Sequence, residues 1–332
     1  MNEKTLILMD IENSVYMEGE KLVIIDRRKL PREIAPLYCG GFKDVAKAIE
    51  DMAVQGAGDI AVTAGFGLYL AARELEKKGE GRNEKALEAA ADRLRATRPT
   101  GFLLPLLMRN ALKRVGKESG VASEVILKYL RQVIHSAREI SEATGRHAER
   151  VLDSGDTILT HCFPGPALLF MLKYAKENGK NIKVVCTETR PYLQGSRLTA
   201  WSVSQLGLDA TIITDNMAAH FMSLGEIDKV FTAADRIAMD GTVANKIGTL
   251  QLAICAGHFH VPFYVLGYGG HDRNTPKGTD IPIEERNPEE VLYFQGAPVS
   301  ARDVKARYPA FDLTPPDLIT GIVTQSGIHL ST

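Results

Sequence analysis

The sequence predicts an α/β protein with a mostly helical N-terminal domain (1–152) and a parallel-sheet C-terminal domain (153–332). Three observations carry this. Through the first part, apolar residues recur at three- and four-residue spacing, the period of a helix face. After Asp153, Ser154, Gly155 and Asp156 the pattern changes to short, nearly continuous apolar runs separated by helical segments, as expected of parallel strands covered on both faces. The chain is also long, at 332 residues, for a single hydrophobic core.

Taken in order, TLILMD (5–10) and KLVIID (21–26) predict two strands joined by a turn near Glu18 to Glu20. Helical periodicity begins at Phe42. It covers FKDVAKAIEDMAV, the Ala/Leu-rich segment 61–77, NEKALEAAADRLRA and the long run from Val121 to Val151. Breaks fall at Gly56 and Gly58, at Gly79 and Gly81, and at Arg98 to Gly101. In the second part the expected strands are 157–162, 182–188, 210–215, 229–235 and 262–267, with helices near 166–178, 196–206, 216–224 and 245–258. The stretch Gly267, Tyr268, Gly269, Gly270 predicts a mobile loop.

Composition excludes several function classes. A net charge of −1 provides no general field for nucleic acid or acidic membranes. A small anionic substrate therefore needs a local basic site. The short apolar run at the start is interrupted by Asp10, Glu12 and Asn13, unlike a secretory leader. No stretch approaches the roughly 20 apolar residues of a membrane span. Four cysteines, Cys39, Cys162, Cys186 and Cys255, form no CxxC pair. Free thiols in a cytoplasmic protein are the expectation. His258 and His260 lie two residues apart and do not share a helix face, so no metal is expected. No glycine-rich dinucleotide or triphosphate motif follows a strand, so no nucleotide cofactor is expected.

Ligands of open parallel sheets bind outside the carboxyl ends of the strands. The residues there are Cys162, Glu188, Asp215 and Asp235, each closing an apolar run. Cys162 precedes Phe163, Pro164, Gly165, Pro166 and a helical run. Either the positive end of that helix lowers the thiol pKa, or Cys162 is an inert buried cysteine. Cys186 and Cys255 fall inside apolar runs and read as core, and Cys39 reads as a loop residue. Asp235 lies ten residues before Asn245 and Lys246, placed at the start of a helix. Either an ordinary ion pair or a catalytic group fits. Arg98 before Pro99 is either a surface helix boundary or an anion clamp beside a helix N-terminus.

The motifs IIDRRKLP (24–31), TRPTG (97–101), LTHC (159–162), ETRPYLQGSRLTAW (188–201), ITDNMAA (213–219), AADRIAMDGTVANKIGT (233–249), IPIEER (281–286) and FDLTPPDLITGIVT (311–324) resemble the methylthioribose-1-phosphate isomerase family over nearly the whole chain. That family is related to archaeal ribose-1,5-bisphosphate isomerases and to the regulatory subunits of translation initiation factor 2B. The resemblance implies a Rossmann-like C-terminal domain, a homodimer, no cofactor and a sugar phosphate as the small-molecule partner. It implies that Cys162 and Asp235 are the catalytic pair. It also implies that Gln55, Gly56, Ala57, Arg98, Gln194, Asn245 and Lys246 occupy positions that hold the substrate and its phosphate.

Three segments depart from the family pattern. Gln55 in VQGAG stands where the isomerases carry arginine, which removes a forked, charged phosphate contact. Phe163 and Pro164 replace small polar residues after the cysteine, and LGYGGHDRNTP differs after Val265. The implied reaction converts an aldose 1-phosphate to a ketose 1-phosphate. Asp235 would be the acid that opens the ring, and Cys162 would carry a proton between C2 and C1. A hydride shift is the mechanistic alternative. Ribose 1,5-bisphosphate, another sugar phosphate, and a non-catalytic regulatory role are the alternative functions.

Overall fold

The computed structural model describes residues 6–98 and 103–330. These form two compact units. One is Asp10–Glu139; the other starts at Ile140 and includes the described residues before Asp10.

In the first unit, β1 (Val15–Glu18), β2 (Lys21–Ile25) and β3 (Pro36–Cys39) form an antiparallel sheet in that order. Glu18 pairs with Lys21 across a two-residue turn, where the sequence places one. The strand on the near side of that turn is Val15–Glu18, however; the described part of 5–10 forms turns. Five helices follow: α1 (Phe42–Glu50), α2 (Ala57–Lys77), α3 (Glu84–Arg95), α4 (Leu103–Lys117) and α5 (Ala122–Glu149). The periodicity predicts all but α4. α2 is apolar nearly all round from Ala61 to Ala72 and is buried accordingly. Val45, Leu94, Leu107 and Leu130 belong to the same core. Cys39 ends β3 and is buried, not in a loop.

α5 continues past the change of unit at Glu139. Its last turn supplies Ala148 to the second core, along with Leu152 beyond it. This explains why the units change over before the composition does at 152. The second unit contains β4 (Thr157–Thr160), α6 (Pro166–Glu177), β5 (Lys183–Thr187), α7 (Ala200–Gln205), β6 (Asp209–Ile213), α8 (Ala218–Ser223), β7 (Lys229–Ala233), β8 (Arg236–Ile237), β9 (Val243–Lys246), α9 (Thr249–His258) and β10 (Phe263–Tyr268). It ends with α10 (Glu289–Leu292), the hairpin β11 (Tyr293–Phe294) and β12 (Ala297–Pro298), then β13 (Phe311–Thr314), β14 (Gly321–Thr324) and β15 (Gly327–Leu330).

Seven strands make one sheet in the order β15-β14-β10-β7-β4-β5-β6, parallel except for the β14–β15 pair. The six parallel strands, counted along the chain, follow the doubly wound Rossmann order 3-2-1-4-5-6. Alternation divides the strands between two faces. Ile158, Val184, Phe231 and Leu266 pack with residues of α6 and α7, while Leu159, Val185, Val230 and Val265 pack with residues of α8 and α9. The expected strands and helices of this part are present with one correction. Asn245 and Lys246 lie on β9, hydrogen-bonded between β8 and β13, and the helix starts at Thr249. Gly267 and Tyr268 are also not a mobile loop, because they end β10.

Gly145 on α5 faces α6 at close range. A Cβ there would lie 2.5 Å from Phe170 Cβ and 2.8 Å from the Met171 nitrogen. Backbone cannot yield as a flexible side chain can, so Gly145→Ala is expected to cost about 1–3 kcal/mol by overpacking. The thermal midpoint should fall by several degrees; an unchanged midpoint would show that the helices separate freely.

Candidate active site

The order of the sheet reverses between β4 and β7, and the chain leaves these neighbours in opposite directions. Cys162 follows β4 and Asp235 follows β7, so the structure brings both to the switch-point crevice. Cys162 adopts a left-handed backbone, φ +61°. Its N–H donates to Thr189 Oγ1 at 2.9 Å, and its carbonyl accepts from Thr199 Oγ1 at 2.5 Å. Thr189 is itself left-handed, at φ +64°, a true outlier for a β-branched residue. Asp215 holds it there, accepting from the Thr189 and Arg190 N–H groups at 2.7 Å each. The Asp215 carboxylate thus builds the loop. Burial and the Asp215 charge raise the pKa of Glu188, the other acidic strand-end residue.

Cys162 is half-buried as a residue, yet protein surrounds its sulfur. Burial pushes the thiol up to about 11, against the Lys246 ammonium and the Phe163 N–H, which favour thiolate. The expected lowering by a helix N-terminus is overturned. α6 starts only at Pro166, and desolvation outweighs its dipole. Asp235 is exposed at the carboxyl end of β7. Burial raises its pKa, Lys246 opposes the rise, and Glu284 adds to it.

Lys246 ends β9 with its ammonium 4.8 Å from the Phe311 ring centroid. It forms no salt bridge among the described residues, so the ordinary ion pair with Asp235 is not what the fold builds. Asn245 is buried and donates to Thr249 Oγ1 at 2.9 Å. Gln194 is buried, and its Oε1 has no hydrogen-bond partner among the described residues. A buried acceptor left unpaired costs about 1–3 kcal/mol, and a ligand hydroxyl can recover that.

The other residues singled out from the sequence lie in the first unit. Gln55 is buried, its amide donates to the Met52 carbonyl at 3.3 Å, and its Oε1 is also unpartnered among the described residues. Gly56 caps α2 at φ +94°, and Ala57 is the first helical residue. Arg98 contacts the Met52 sulfur, so Arg98 and Gln55 meet through one methionine beside the N-terminus of α2. The helix N-terminus expected after Arg98 falls at Pro99, outside the described residues. Behind Gln55, the buried Arg27 donates to the Gln55 carbonyl and pairs with Asp59. Arg27 lies in IIDRRKLP, but the sequence does not single it out.

Residues 53–330 match the initiation factor 2 subunit family. The chain belongs to this family. The methylthioribose-1-phosphate isomerase of Thermosipho africanus is 41% identical over 93% of this chain and 92% of its own. The putative methylthioribose-1-phosphate isomerase of Methanothermobacter thermautotrophicus is 41% identical over 96% and 99%. Among solved structures, 5-methylthioribose 1-phosphate isomerase from Pyrococcus horikoshii matches with a TM-score of 0.84 and 35% identity, over 96% of this chain and 92% of that one. The translation initiation factor eIF-2B subunit delta from A. fulgidus matches at 0.81 and 33%, over 95% of each.

Within this initiation factor 2 subunit fold, two of the three departures meet. Tyr268 Oη donates to the Pro164 carbonyl, and a Cβ on Gly165 would lie 2.4 Å from that hydroxyl. The end of β10 therefore fastens the segment after Cys162. Alkylation of Cys162 by iodoacetamide, followed by peptide mass mapping, should quicken about tenfold per pH unit with no plateau through about pH 9.5, because the thiol titrates at about 11. A plateau near the ordinary thiol value of about 8.5 would contradict the buried geometry.

Proposed function

We propose that the chain is an isomerase converting an aldose 1-phosphate to its ketose 1-phosphate, with 5-methylthioribose 1-phosphate or its 5-deoxyribose analogue as substrate. The observation that carries this is the pairing of Cys162 and Asp235 at one switch point, with Lys246 beside them. The names of relatives 41% identical over most of the chain support the substrate class. The conversion is redox-neutral within one molecule, so it needs no external oxidant or reductant, and the reading takes it to proceed without a cofactor. The same reading takes the protein as a cytoplasmic homodimer with a sugar phosphate, not nucleic acid, as its partner.

The anomeric oxygen of an aldose 1-phosphate is blocked, so the ring cannot open unaided. Asp235, with a raised pKa, is suited to hold a proton and donate it to the ring oxygen as the C1–O bond breaks. C1 is then electron-poor. In one route the C2 proton passes to the Cys162 thiolate and is returned to C1, while the C2 hydroxyl gives its proton to the Asp235 carboxylate. In the other the C2 hydrogen moves to C1 with its electron pair, and the C2 hydroxyl gives its proton to the Asp235 carboxylate. The second leaves the sulfur as a thiol, and the raised thiol pKa favours it. Asn245, Lys246 and Gln194 orient hydroxyls and stabilise oxyanion charge. Arg98, Gly56, Ala57 and Gln55 serve the phosphate.

A panel of aldose 1-phosphates tests the proposal directly; no turnover of any member would leave the non-catalytic reading. In D2O, a hydride shift gives product without deuterium at C1, whereas transfer through an exchanging thiol introduces it. Asp235→Asn should keep substrate binding and lose at least about 10²-fold in kcat; Cys162→Ser should abolish turnover with little loss of stability if the sulfur carries the proton, and keep it if the hydrogen moves as hydride. A change in KM alone for Asp235→Asn would make it a binding residue.

Gln55→Arg should lower KM about tenfold, since a guanidinium adds charge and a fork that an amide lacks. The Arg27 contact survives because it uses the main-chain oxygen of residue 55. An unchanged or higher KM would put the phosphate elsewhere.

A further inference from the structure

The mechanism leaves the buried His161 unused. His161 is 3% exposed and directly precedes Cys162. Its Nε2 lies 2.9 Å from the Ile247 carbonyl, and its Nδ1 lies 2.6 Å from Thr187 Oγ1. A carbonyl can only accept, so Nε2 carries the hydrogen. Nδ1 of the neutral ring then accepts from the threonine hydroxyl. The ring thereby ties three segments together: the end of β4, the end of β5, and the turn after β9.

That turn is what makes the bridge informative. Ile247 directly follows Lys246, just as His161 directly precedes Cys162. Gly248, at φ +105°, brings the backbone so close that a Cβ would lie 3.0 Å from the imidazole Cε1 and Nε2. From the other side, Asp312 accepts from the N–H groups of Gly248 at 2.7 Å and Leu250 at 3.2 Å. The turn has no slack between the imidazole and the carboxylate. We infer that His161, fixed as the Nε2–H tautomer between Thr187 and Ile247, is a positioning residue that sets where Lys246 stands relative to Cys162. Its importance for turnover rests on the proposed function; its geometry does not.

The charged groups acting on the ring are Asp215, which favours imidazolium, and Lys246, which disfavours it. Burial disfavours it most, so the ring stays neutral. Protonation would turn Nδ1 into a donor and remove the acceptor that Thr187 uses.

The test has a spectroscopic arm and a kinetic arm, both on the full chain. With 15N-histidine, and His161 assigned from the spectrum lost in His161→Gln, the ring should show protonated Nε2 and bare Nδ1. It should not titrate between about pH 5.5 and 8.5, where an ordinary imidazole does. A titrating ring, or an Nδ1–H tautomer, overturns the inference. In the kinetic arm, His161→Leu should lower kcat about tenfold or more with KM within about threefold. His161→Gln keeps a donor and an acceptor and should recover most of the loss. Thr187→Val is nearly isosteric and should lower kcat in the same direction; it decides the matter if His161→Leu does not fold. Unchanged kcat in Thr187→Val, or a loss confined to KM, overturns the inference. If the wild type turns over no sugar phosphate, the proposed function fails and the bridge is judged by Cys162 alkylation instead. In Thr187→Val the alkylation profile should move up by about half a pH unit or more as Lys246 shifts from the sulfur; an unmoved profile counts against the bridge.

Discussion

The parallel pairing of β4 with β7, with Thr160 opposite Phe231, governs the rest of the crevice. Each strand continues past this pair for only a few residues before turning away, and in those residues stand His161, Cys162 and Asp235. No loop has to travel to bring the thiol and the carboxyl together. Two sheet neighbours simply run out at the same level. The β8–β9 excursion then folds back, with the Asp235 N–H donating to the Ala244 carbonyl, and brings Lys246 to the same end. Strong backbone geometry thus sets the placement of three side chains whose own interactions are weak or repulsive.

This is why the catalytic end of the sheet was legible in the sequence. Residues 157–162 and 229–235 are apolar runs that stop at reactive groups, and a parallel sheet gives such stops one meaning. The elements that were misread are those fixed by distant partners. The helix expected from 245 begins only at Thr249, because Asn245 and Lys246 pair with Asp312 and Phe311 of β13, far along the chain. Val15–Glu18 carries a weaker β signal than 5–10, and the two-residue turn decides between them through register.

The pKa of Cys162 shows the same limit for electrostatics. The helix that follows it is local and visible in sequence, but the groups that favour thiolate are the Lys246 ammonium and the Phe163 N–H. The protein packed around the sulfur comes from segments far along the chain, and it prevails. The orphan amide oxygens of Gln55 and Gln194 belong to this class too. Their residue types were noted from the resemblance, but only burial shows that each has an acceptor to satisfy.

The backbone at Cys162 has an engineering consequence. A left-handed non-glycine residue costs on the order of 1–3 kcal/mol, which glycine largely avoids. Directed evolution toward heat resistance alone would therefore tend to put glycine at 162, erasing the sulfur while improving the scaffold. Selection for thermostability would need a simultaneous screen for turnover to keep this position, and variants that gain stability here should be the first suspected of having lost chemistry.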